Sequence, residues 1–156
     1  MAGNEMEIID QEKVQYIVVK IGSEQYGLNI SFVDNIVRMQ KITRVPKAPF
    51  HYVGVINLRG EIVPVMSVRR KMGLEDDVYT NKSRIIILKL EVQGLIGVIV
   101  DEVKEVINLG EDDIDRNLQN QNNRADANFI NGIGKDGDEL ISIFEISSIV
   151  DAVETA

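Results

Sequence analysis

The sequence predicts a mainly β protein: two five-stranded barrels packed side by side, with a few short helices. Three observations carry that prediction. Apolar, β-branched runs of strand length recur along the chain, separated by glycine-containing turns. Helix signals are short and few. An internal repeat divides the chain into two similar halves, about 14–75 and 83–152.

In chain order, Tyr16-Ile-Val-Val-Lys-Ile21 reads as the first strand, with a turn at Gly22-Ser23 and a returning strand over Gln25 to Ile30. Val55 to Leu58 and Glu61 to Val65 flank Arg59-Gly60, a two-residue link that suits a tight hairpin with Arg59 at its tip. Ser67 can cap a short helix, Val68 to Met72, that Gly73 closes. Ile85 to Leu90 and Leu95 to Val100 form a further hairpin around Val92-Gln93-Gly94. Asn117 to Asn128, rich in Asn and Gln, reads as a loop. The Asp136-Gly137 turn precedes a strand over Leu140 to Phe144, and Ser147 or Ser148 can cap a last helix carrying Ile149, Val150 and Val153. Residues 1–13 are expected to be a flexible N-terminal segment, 14–152 one domain of two barrel subdomains, and 153–156 a tail.

The repeat is explicit. Gly27-Leu-x-Ile-x-x-Val-x-x-Ile36 returns as Gly97-Val-x-Val-x-x-Val-x-x-Val106, 70 residues on. The strands before them match as well, Ile17 to Ile21 against Ile86 to Leu90. Gly54-Val55 and Glu61-Ile-Val-Pro-Val-x-x-Val68 return as Gly132-Ile133 and Glu139-Leu-Ile-Ser-Ile-x-x-Ile146, 78 residues on. Sheets this small must curl or pair to hide their apolar faces and edges, so two barrels side by side are the economical solution. The seam between them is expected to be an apolar groove able to receive a helix or peptide.

Composition narrows the function. A chain of 156 residues can bury about 70% of its unfolded surface without disulfides or metal. It has no cysteine, which removes thiolate zinc sites and cysteine nucleophiles and suits a reducing compartment. The acidic N-terminus lacks a basic region followed by an apolar run, so no signal peptide is expected, and no apolar run reaches membrane-spanning length. The expectation is a cytoplasmic protein with no direct membrane insertion. A net charge of −8 opposes nucleic-acid binding in general. That charge is uneven: Asn35 to Gly60 holds no acid but carries Arg38, Lys41, Arg44, Lys47 and Arg59, while Glu111 to Asp115 is acidic. The first stretch is either a solvated surface or a basic face for an acidic partner.

Catalytic patterns are missing from the sequence. His51 is the single histidine, read as a packed or exposed residue, and alone it cannot build the usual zinc site. No phosphate loop or nucleophile elbow occurs. Gly132-x-Gly134-x-x-Gly137 fits a dinucleotide spacing, but it lies among strand and turn signals and reads as turn glycine. No cofactor or metal is expected, and no enzyme activity. Two rival readings remain: a double barrel that binds nucleic acid through Arg38 to Lys47 and Arg69-Arg70-Lys71, and an enzyme built on carboxylates that the fold brings together.

One cluster is specific. Pro46-Lys-Ala-Pro49-Phe50 stiffens the approach to the apolar hairpin Gly54-Val-Ile-Asn-Leu-Arg-Gly60, followed by Ile62-Val-Pro-Val65. An arginine at a hairpin tip either extends into water or folds back onto a carboxylate or carbonyl. This block resembles the signature of CheW domains, as do Tyr26-Gly-Leu with Val33-x-x-Ile36, and Gly97-x-x-Val100-Asp101-x-Val103-x-x-Val106. The likeness runs from about Tyr16 to Val150.

The resemblance implies two SH3-like barrels, with exchange of strands between the halves left open. It also implies a non-catalytic adaptor that couples the cytoplasmic tip of methyl-accepting chemoreceptors to the regulatory domain of the histidine kinase CheA. By the same resemblance, receptor binding would involve Val33, Asn35, Ile36, Asn57, Arg59, Gly60, Val98, Val100 and Val106, and kinase binding Leu118, Gln119 and Asn120. Asn35 stands where the family usually has Glu, so a charge contact there is lost or moved. Ser67-Val68 stands where Asp-Leu or Asn-Leu is common, which alters the cap.

Overall fold

The computed structural model describes residues 13–117 and 126–150. β1 (Val14–Ile21) and β2 (Glu24–Asn29) form a hairpin, and a 3-10 turn at Ile30–Phe32 leads into β3 (Val33–Arg38). A second hairpin, β4 (Tyr52–Leu58) and β5 (Glu61–Ser67), runs into the short helix α1 (Val68–Lys71). The second half repeats this order. β6 (Arg84–Leu90) and β7 (Gly94–Val100) form a hairpin, followed by β8 (Glu102–Leu109), a 3-10 turn at Glu111–Asp113 and β9 (Ile114–Asp115). The hairpin β10 (Ile130–Asp136) and β11 (Glu139–Phe144) leads to α2 (Ile146–Ile149). Among the described residues no helix is long and apolar enough to cross a membrane.

One local expectation needs correction. Ser67 does cap α1, its hydroxyl accepting from Arg70 N at 3.1 Å. α2, however, begins at Ile146 behind Glu145, so Ser147 and Ser148 lie inside it rather than capping it. The acidic run also contributes structure, because its end forms β9 and gives one sheet a sixth strand.

The sheets are ordered β8-β1-β2-β11-β10-β9 and β3-β6-β7-β5-β4. Neither follows the sequence halves. The hairpin β1–β2 joins strands of the second half, and β6–β7 joins strands of the first. The exchange is reciprocal in detail. β1 pairs with β8 as β6 pairs with β3, and the two parallel joins share one register, Ile143 beside Gly27 and Val65 beside Gly97. Closure is also shared. Thr43, beyond β3, exchanges both backbone bonds with Val55 at 2.8 Å, and β9, beyond β8, pairs Asp115 with Ile133.

Strand alternation explains the interior. Tyr16, Val18, Ile141 and Ile143 fill the first barrel, and Ile85, Ile87, Val63 and Val65 fill the second. The opposite faces of the same central strands supply Ile17, Val19, Tyr26, Ile86, Leu88 and Val98 to a third, larger core between the barrels. β1 and β6 are therefore buried on both faces, which is why their sequences are nearly continuous apolar runs. The rings of Tyr26 and Phe144 stack at 4.4 Å across this core, and the Tyr26 hydroxyl donates to Asp126 at 2.6 Å.

Candidate functional site

The β4–β5 turn consists of Arg59 and Gly60, with φ of +53° and +84°. Positive φ at both positions is what a two-residue turn of matching twist requires, and at Arg59 a side chain is carried there at a conformational cost. The turn is held by Asn57, whose Oδ1 accepts from Gly60 N at 2.9 Å. Across the mouth of the barrel, β3 carries a bulge: its pairing with β6 slips between Val33 and Asn35, leaving Asp34 unpaired. Beyond the slip, Asn35 lies opposite Ile87, an interior residue, so its side chain points to the mouth.

These two irregularities meet. With the Asn35 amide oriented by its partners, its Oδ1 accepts from Arg59 Nη2 at 2.9 Å and its Nδ2 donates to Asp34 Oδ2 at 3.1 Å. Arg59 folds back and ties the hairpin tip to β3. Asn35, Asn57, Arg59 and Gly60, named from sequence, thus form one constellation.

The apolar members separate into two groups. Ile36, the next residue on β3, lies opposite Ile86 and so shares the face that looks toward the central core, yet it stays 38% exposed. Val106 holds the equivalent place on β8, opposite Ile17, and is 50% exposed. Val33 packs partly against the central core. Val98 and Val100 are different. They are 2% and 1% exposed, because the barrels close on each other and fill the expected groove with side chains. Here the seam is a packed core with Ile36 and Val106 exposed at its rim. Leu118, Gln119 and Asn120 lie outside the described residues.

Sequence reading missed a clamp at one end of the seam. Arg69 on α1 donates to Asp101 through Nη2 at 2.6 Å and Nε at 3.3 Å. The same carboxylate accepts from Gly22 N, in the β1–β2 turn, at 2.7 Å, and Asp101 N donates to Lys20 O. One aspartate therefore joins a helix of one barrel to a turn of the other. Burial alone would push the Asp101 carboxyl up, but the Arg69 guanidinium and the Gly22 N–H outweigh it, and its pKa is lowered. Close by, Asp77 accepts from the Ser67 hydroxyl, and burial raises its pKa despite that bond and nearby Arg69. Asp76 pairs with Arg70 at 2.8 Å. Asp101 stood in the motif that carries the family resemblance, but nothing in the sequence announced that Arg69 would reach it.

The repeat places Ser31 and Ser147 where the clamp has Asp101 and Arg69, and two serines cannot form such an ion pair. Both line a cleft of about 670 Å³, with Phe32 and Val92 exposed at its rim. A smaller cleft of about 390 Å³ lies beside the clamp itself, lined by Gly22 and Arg69.

The family model of the CheW-like domain matches residues 15–154. The sequence is 33% identical over 144 residues to the chemotaxis protein CheW of Helicobacter pylori, covering 90% of this chain and 84% of that protein. It is 32% identical over 135 residues to the chemotaxis protein CheW of Bacillus subtilis, covering 86% and 85%. Among solved structures, the scaffolding protein TtCheW from Thermoanaerobacter tengcongensis matches with a TM-score of 0.80 at 32% identity, covering 90% of this chain and 94% of that one.

Proposed function

The chain belongs to the CheW-like domain family, and on that premise we propose that it is a cytoplasmic, non-catalytic chemotaxis adaptor. It couples the signalling tip of chemoreceptors to the regulatory domain of CheA. Residues 14–152 act as one unit, contributing interface energy and geometry rather than bond chemistry. Single contacts of this kind are modest in area and transient, and multivalent assembly strengthens them.

The observation that carries this reading is the joined pair Arg59 and Asn35 at the barrel mouth, beside the exposed Ile36. The arginine fixes the hairpin against β3 and presents an ordered polar edge next to an apolar one, a combination suited to a receptor helix. The receptor surface comprises Val33, Asn35, Ile36, Asn57, Arg59 and Gly60, with Val106 at the related rim. Val98 and Val100 support it from beneath. Leu118, Gln119 and Asn120 contact the kinase domain.

Pull-down with a receptor tip fragment and with the CheA regulatory domain tests this. Arg59→Ala and Ile36→Asp should weaken receptor capture while leaving kinase-domain capture intact. Undiminished receptor capture by both variants would remove this site from the account.

A further inference from the structure

A second charged face remains after that surface is assigned. Arg38, at the end of β3, lies directly opposite Arg84, at the start of β6. Like charges facing each other across a ladder repel, so such a pair normally has a counter-charge nearby. None is present: among the described residues, no carboxylate pairs with Arg38, Lys41, Arg44, Lys47, Lys82 or Arg84. The guanidinium of Arg84 is fixed all the same, Nη1 donating to Asn81 O and Ser83 O, both at 2.8 Å. Arg38, Lys41, Arg44 and Lys47 follow the segment that closes the second barrel through Thr43, and all four are exposed. In a chain of net charge −8, this is a concentrated cationic surface with no carboxylate partner among the described residues.

Arg69 and Arg70 do not belong to it. Asp101 and Asp76 engage them, so the basic surface is smaller than the sequence suggested. Its apolar neighbours are Val45 and Phe50, 42% and 71% exposed. The Arg70 guanidinium carbon sits 4.7 Å over the Phe50 ring and covers one of its faces. That leaves Phe50 poorly placed to stack a nucleobase but available to a side chain approaching from the other side.

We propose that this face docks an acidic polypeptide segment in which apolar side chains recur among the carboxylates. The carboxylates would meet the line from Arg38 to Lys47, with Arg84 as the fixed anchor, and the apolar groups would meet Val45 and Phe50. The face lies away from the Arg59 turn, because Arg38 and Arg59 stand at the C-terminal ends of β3 and β4, which run in opposite directions in the sheet.

Fluorescence anisotropy of the full chain with a fluorescein-labelled peptide of repeating Glu-Glu-Leu tests the proposal. Binding should weaken about tenfold when ionic strength rises from about 50 to about 200 mM. Lys41→Glu with Arg44→Glu should weaken it at least as much, while Lys135→Glu, on the other barrel, should leave it unchanged. Circular dichroism checks that each variant is folded. The proposal is overturned if the peptide does not bind, or if Lys135→Glu acts as strongly as the pair. Tighter binding of a labelled single-stranded oligonucleotide through the same residues would overturn it in favour of nucleic acid. Self-association at low salt that Lys41→Glu with Arg44→Glu abolishes would assign the face to a second copy instead.

Discussion

A β-carbon on Gly97 would stand 2.6 Å from Cγ2 of Ile85, inside the second barrel. The related Gly27 is nearly as confined, 3.1 Å from Ile143 Cδ1. These glycines sit at the two parallel joins that carry the strand exchange. They let a hairpin from one half lie against the last strand of the other half.

Gly97→Ala should therefore destabilise the protein by about 1–3 kcal/mol, the usual effect of overpacking a filled core. Gly27→Ala should do so by less. Denaturant unfolding measures both. Equal stability of Gly97→Ala and wild type would mean that the join tolerates a side chain and does not enforce the pairing.

The closed seam predicts opposite outcomes for two valines and an isoleucine that the family resemblance grouped together. Val98→Asp or Val100→Asp buries a carboxylate in the central core and should cost several kcal/mol, enough to unfold much of the population. Ile36→Asp, at the open rim, should leave the melting temperature within a few degrees of wild type. A folded, stable Val98→Asp would argue for a groove that opens.

The clamp makes stability depend on acid in a definite direction. The pKa of Asp101 is lowered on folding, so its contribution is present above its unfolded value, about 3.9, and is lost as pH falls toward the folded value. Asp101→Asn should lower stability at pH 7 by about 1–3 kcal/mol and flatten the decline below about pH 4. Asp77 has the opposite sign, its pKa being raised by burial, so ionisation there opposes folding as pH rises. Asp77→Asn should cost little or nothing at pH 7. Urea unfolding at several pH values separates the two, and an unchanged acid limb in Asp101→Asn would refute the clamp.

Asn35 and Arg59 invite a charge test. Asn35→Glu would turn a neutral acceptor into a carboxylate facing an exposed guanidinium, and pairs so open to water add no more than about 1 kcal/mol. Stability should barely move. Arg59→Ala should likewise leave the fold intact while loosening the hairpin tip, seen as faster amide exchange at Asn57 and Gly60. Unchanged exchange there would mean that the arginine orders nothing.

The sequence makes the fold class legible because strand periodicity, glycine turns and the repeat all agree. It leaves the exchange open for a physical reason. β3 and β8 carry the same Val-x-x-aliphatic pattern, so β1 can satisfy its buried faces against either strand with one register. The site is legible in part. Asn57, Arg59 and Gly60 are close in sequence and Asn35 is fixed by motif, so local pattern reaches them. Val98 and Val100 mislead because an aliphatic residue in a strand has the same signature in a groove as in a core. The Arg69–Asp101 pair spans 32 residues and two barrels, beyond any local pattern.

Titration calorimetry of the chain against a purified receptor tip fragment and, separately, the CheA regulatory domain tests the adaptor reading most directly. The account predicts saturable binding to both, with Arg59→Ala and Ile36→Asp losing at least about tenfold in affinity for the receptor alone. Failure of the folded wild-type chain to bind either partner would contradict it.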